Sequence, residues 1–195
     1  MSDTVQYDGA LFQVLRRTKN SIFQIGDRTI EKYLELEVVR RPPGVRALVV
    51  QSNKLLLTYE YRYELDSWDY RLPGGKVFDT NISYCSETPS SLIMNNVVDA
   101  LKRELREEAN IEIQNYSLLN VSHCGLTVEW DLYYFLVNQF NCSSNKTIQK
   151  SEYEYIQNLW VDFSTALDLC LSGAVSESRS AYEIIRYILK WKEAR

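Results

Sequence analysis

Leu72-Pro73-Gly74-Gly75-Lys76-Val77 and, further along, Arg103-Glu104-Leu105-Arg106-Glu107-Glu108 are the two stretches on which the reading of this chain turns. The second lies in a segment where Ile93, Val97, Leu101 and Leu105 recur every fourth residue, with Val98 thickening the stripe. That spacing predicts an amphipathic helix from about Pro89 to Asn110. Thr88-Pro89 suits its start, and Asn110, tolerant of a left-handed backbone, suits its end. On the other side of the helix Glu104 and Glu108 are four apart and Glu107 is three from Glu104, so the carboxylates share a face. Like charges so placed, near a helix C-terminus, cost a few tenths of a kcal/mol per pair. Two accounts offset that cost. Lys102, Arg103 and Arg106 can solvate the face, or a hard cation, Mg²⁺ or Mn²⁺, can take the oxygens and itself bind phosphate.

Outward from this core, Pro42-Pro43-Gly44 breaks the chain, and 45–51 and 54–61 read as strands joined by Ser52-Asn53. Before the break, strand-like runs over 11–41, punctuated at Asn20 and Gly26-Asp27, suggest a small β subdomain over 1–41 ahead of a main domain over 42–195. After the helix, 125–137 and 158–163 read as strands, 141–150 as a polar loop, and 164–171 and 180–192 as closing helices.

Composition narrows the function. In 195 residues, 45% hydrophobic and 25% charged, there is material for one globular unit. A net charge of −4 supplies no positive field for nucleic acid or an anionic membrane, so any phosphate binding must be local. The N-terminus lacks the pattern of a secretory leader and no apolar run is long enough to span a bilayer, from which a cytoplasmic protein is expected. Cys85, Cys124, Cys142 and Cys170 are irregularly spaced, which suits reduced thiols. His123, read as a strand residue, is the only histidine. A histidine-rich metal site is thereby excluded, and carboxylates become the natural carriers of chemistry.

Taken together, 72–77 and 100–111 resemble the box of the Nudix hydrolases, in which a Gly is followed after five residues by Glu and after seven more by Arg-Glu-aliphatic-x-Glu-Glu-x-Gly-aliphatic. The second half matches except that Asn110 replaces the last glycine. Gly75 and Arg103 are 28 positions apart where the box has 14, an insertion of 14 residues. The first box glutamate is missing: the counted positions hold Asn81 and Asn95, and Glu87 lies in the insertion. The resemblance runs over nearly the whole chain and is most like the ADP-ribose pyrophosphatase branch, although the proline which that branch carries after the box is absent from 125–131.

The resemblance implies an α/β fold, a Nudix-type α/β/α sandwich with a mixed sheet and a small N-terminal β subdomain used in dimerisation. It implies metal-dependent hydrolysis of the pyrophosphate bond of a small nucleotide substrate, a nucleoside diphosphate linked to another moiety, by a homodimer. Glu104, Glu108 and Glu107, with the Gly74 carbonyl, would hold Mg²⁺ or Mn²⁺. Glu152 is the first choice of catalytic base and Glu154 the second, Glu107 also being a catalytic candidate. Arg62 would meet the substrate phosphates. From the residues alone, Trp68 and Trp130 have flat rings suited to stacking on a base, with core packing as the alternative. The rival reading is a Nudix-fold sensor that binds a nucleotide without cleaving it.

Overall fold

A computed structural model describes residues 1–78, 90–125, 127–142 and 155–194, with the side chains of 90–92 excepted. Three strands open the chain: β1 (Ser2–Asp8), β2 (Gln13–Ile25) and β3 (Arg28–Arg40). Next come β4 (Gly44–Gln51), β5 (Lys54–Arg62), β6 (Ser67–Arg71) and α1 (Ser90–Ala109). The remainder is β7 (Ile111–Ser122), β8 (Val128–Glu129), β9 (Leu132–Cys142), β10 (Ile156–Asp162), α2 (Phe163–Leu171) and α3 (Ser178–Glu193). One sheet runs β1-β2-β3-β8. The other runs β10-β5-β4-β9-β7 with β6 on β5, and is mixed because β4 and β9 are parallel.

Strand alternation decides which layer each residue joins. Along β4, Val45, Ala47 and Val49 meet Val97, Leu101 and Leu105 of α1, while Leu48 meets Ile184 and Ile188 of α3 and Ala166 of α2 on the other face. The helices therefore cover both faces of the mixed sheet, the expected α/β/α sandwich. The stripe that predicts α1 is the stripe that packs: Val97, Leu101 and Leu105 have no exposure and Ile93 lies partly buried against the same cluster. Leu101→Ala is expected to destabilise by about 2–5 kcal/mol through the cavity it leaves. A lowered urea midpoint at unchanged slope would register it.

Local signals place the ends well. Asn110 has φ of 56°, and its N–H donates to Arg106 O at 3.2 Å, closing α1 in the left-handed way expected. Ser52 and Asn53, at φ 49° and 64°, make the two-residue turn between β4 and β5.

Three expectations need correction. Asn20 makes no turn: it pairs with Tyr33 midway along the β2–β3 ladder, whose cross-strand bonds outweigh local turn preference. The span 125–137 is not one strand. β8 pairs with Val39 and Arg40 of the first sheet, β9 joins the second, and the chain crosses between sheets at Trp130-Asp131. His123 is not in a strand either: exposed beyond the end of β7, its Nδ1 lies 2.7 Å from Asp131 Oδ1. Among the described residues no helix is long and apolar enough to cross a membrane, and Cys124, Cys142 and Cys170 are free thiols.

Candidate active site

The site arises where β4 and β5 part company. They pair only at Val50 with Leu55 and Gln51 with Lys54, next to their turn. Farther along, β5 takes β6 as its partner, and the edge of β4 is taken by the Pro-Gly-Gly segment. Ala47 N donates to Pro73 O and Val45 N to Gly75 O, both at 2.9 Å, while Val77 N reaches Pro43 O at 3.0 Å. The divergence leaves a cavity of about 750 Å³ bounded by the start of β4, the end of β5, the Gly-Gly turn and the C-terminal half of α1.

Both glycines are dictated by close approach. Gly74 has φ of 145°, and a Cβ there would fall 2.1 Å from the Val45 carbonyl oxygen. A Cβ on Gly75 would sit 2.5 Å from the carboxyl carbon of Glu104. The two halves of the motif are also fastened directly, since Gly74 N donates to Glu108 Oε2 at 2.8 Å. Arg103 Nη2 donates to Lys76 O at 2.9 Å and to Glu104 Oε1 at 3.2 Å, and Asn158 Nδ2 holds the main-chain oxygen of Glu108 at 2.7 Å. Glu104 and Glu108 are thus buried carboxylates, 5% and 8% exposed, beside Glu107 on one cavity wall.

The facing walls are cationic. Arg41, Arg46, Arg62 and Arg71 line the cavity. Arg62 donates through Nε to Glu64 at 2.8 Å and lies 3.5 Å from Glu60. Burial pulls its guanidinium down, but Glu64 and Glu60 together carry it above the ordinary arginine value. Arg71 Nη1 donates to Asp69 Oδ2 at 3.1 Å, and buried Asp69 in turn accepts from Ser176 N and Oγ, fixing β6 to the approach to α3.

The predicted residues fall into three groups. Glu104, Glu107, Glu108, Gly74 and Arg62 come together around the cavity. Trp68 does not line it: 40% exposed on β6, it stacks on Tyr59 at 4.8 Å between ring centroids. Glu152 and Glu154, like Glu87 and the 79–89 part of the insertion, lie outside the described residues. Trp130 lines the cavity, but the guanidiniums of Arg41 and Arg179 lie over its indole at 4.0 and 4.2 Å, so a base could stack there only by displacing one. Sequence reasoning missed Arg41, Arg46 and Arg71. The available signal was Arg46, the one charge inside the apolar run Val45-Arg46-Ala47-Leu48-Val49-Val50.

The donor chemistry suits a hard divalent ion. As placed, no three His, Cys, Asp or Glu side chains converge on one point among the described residues. Mg²⁺ asks for less, since one or two carboxylates plus water and substrate phosphate complete its shell. Two buried carboxylates facing an arginine-lined cavity meet that requirement.

A cavity floored by a Gly-Gly turn, walled by Arg-Glu-x-x-Glu-Glu of one helix and set in an α/β/α sandwich defines a class. A family model described as the NUDIX domain matches residues 40–180. The chain belongs to the Nudix family, and so to the Nudix pyrophosphohydrolases. Among solved structures, an ADP compounds hydrolase is similar in fold, with a TM-score of 0.60 and 16% sequence identity over 98% of this chain and 96% of that one. No curated protein sequence matches.

Proposed function

We propose that the chain hydrolyses the pyrophosphate bond of a nucleoside diphosphate linked to another moiety, such as ADP-ribose or a nucleotide sugar, with Mg²⁺ or Mn²⁺. The observation that carries this is the pair of buried carboxylates on α1, fastened to the Gly-Gly turn, in a cavity whose other wall is arginine. Glu104, Glu108 and Glu107, with the Gly74 carbonyl, would hold the ion. Pro73 O and Gly75 O are both taken by β4, whereas Gly74 O accepts no bond from it. When bound, the ion neutralises phosphate charge and lowers the pKa of water.

The chain's own groups do the rest. Arg62 offsets negative charge growing on the leaving phosphate. Glu152 takes the proton of the attacking water, with Glu154 as the next candidate. They stand three residues and one residue before Tyr155, which lines the cavity, and that supports a base delivered from this part of the chain. The fold neighbour's name supplies the first substrates to try. A panel of ADP-ribose, other nucleoside diphosphate derivatives and nucleotide sugars with Mg²⁺ and Mn²⁺, scored for released phosphomonoester, tests the reading. Absence of metal-dependent release throughout would favour the second reading, a nucleotide sensor, which the missing box glutamate supports.

We further propose a homodimer through the N-terminal unit over 1–41. Its sheet leaves Tyr7, Ile22, Ile25 and Tyr33 more than half exposed, an apolar load that a partner surface would cover. Light scattering at micromolar concentration is expected to give twice the chain mass; a monomeric mass overturns the proposal.

A further inference from the structure

Arg46 stands where the fold asks for an apolar side chain. Its neighbours on the same face are Leu48 of β4 and Leu132 and Tyr134 of β9, all buried, with Arg46 registered opposite Tyr134. The residue is 9% exposed, and among the described residues its guanidinium donates one hydrogen bond, from Nη1 to the carbonyl of Val45, its own neighbour, at 3.0 Å. No carboxylate lies within ion-pair distance of it among the described residues. Burial holds its guanidinium below the ordinary arginine value. Nearby Arg71 adds to that, against opposing pulls from Glu108, Tyr134 and Glu60.

Arg41 repeats the pattern on the same cavity wall. It lies over Trp130, its Nε is buried without a hydrogen-bond partner among the described residues, and burial, Arg46 and Arg179 all disfavour its charge. Burying one unpaired guanidinium costs several kcal/mol; keeping two side by side facing a cavity is costlier still. What removes the cost is an anion with more than one charge and a fork of acceptor oxygens, which is the chemistry of linked phosphates.

We propose that Arg41 and Arg46 form an anion site in the cavity wall, and that it binds the diphosphate group of the substrate without needing a metal. The identity of that anion as substrate rests on the pyrophosphohydrolase reading; the anion site itself does not.

The test uses the full chain in excess chelator at low ionic strength, titrated with inorganic pyrophosphate in a calorimeter. Wild type is expected to bind. Arg46→Met and Arg41→Met should each weaken binding by about tenfold or more. Without ligand, Arg46→Met should melt higher than wild type, because an apolar side chain of similar length relieves the buried charge. Pyrophosphate should then raise the melting temperature of wild type more than that of the variant. Arg41→Met, at the indole and not within the strand layer, keeps the test decisive if Arg46→Met does not fold. No binding by wild type, or undiminished binding in either folded variant, overturns the site. If wild type binds pyrophosphate through these arginines yet cleaves no diphosphate in the presence of metal, the hydrolase reading fails while the anion site stands.

Discussion

Glu104→Gln and Glu108→Gln are each expected to fold normally and to lose turnover by about a hundredfold or more, with Mn²⁺ affinity falling in parallel. Gln keeps the shape and helix propensity of Glu, and at position 108 its amide oxygen still accepts from Gly74 N, so the contact that seats the Gly-Gly turn survives. What disappears is charge. If the carboxylates merely decorated a surface, removing one would relieve repulsion near a helix C-terminus and slightly stabilise the protein with function intact. Their burial argues against that role. Glu152→Gln should separate from both by sparing metal affinity while lowering turnover, as befits a group that acts on water. Wild-type metal binding and turnover in both helix variants would show that the ion is held elsewhere.

Alanine substitution at the adjacent glycines should give two opposite phenotypes. Gly74→Ala drives a methyl into the Val45 carbonyl, a backbone atom at 2.1 Å, at a φ of 145° that L-residues avoid. Neither the strand nor the turn can yield without losing the β4 bonds, so destabilisation of about 3 kcal/mol or more is expected. Gly75→Ala meets only the carboxyl end of Glu104, a side chain that can swing away. Its melting temperature should stay near wild type while turnover falls by about a hundredfold, because a shift of about 1 Å in a catalytic group costs on that order. Circular dichroism melts beside metal-dependent turnover separate the two. Equal stability in both variants would mean that the turn relaxes freely and that its close packing does not position Glu104.

How much of this was legible follows from where the signal is local. The α1 stripe, the Asn110 cap and the Ser52-Asn53 turn each rest on near neighbours in sequence, and each is where the residues predicted. β1, β6 and β7 went unread because their reasons are tertiary. β1 is exposed along its whole length and exists by pairing with β2, and β7 shifts register against β9 three times, which erases the alternation that marks a strand. The carboxylates were legible as a pattern on one helix. The arginines opposite them come from β3's end, β4 and β6, and only the parting of β4 from β5 brings them to one cavity.

The hydrogen bond from Gly74 to Glu108 bears on how the motif tolerates its own interruption. Doubling the separation between Gly75 and Arg103 from 14 to 28 residues raises the entropy cost of closing that loop by only about 0.6 kcal/mol, since the cost grows with the logarithm of length. A single well-made bond to a backbone amide, about 1.5–3 kcal/mol when one partner is charged, is enough to offset it. The halves of the motif are therefore registered by a bond and not by a count of residues. Added length between the halves therefore makes almost no demand on how the Gly-Gly turn meets the helix.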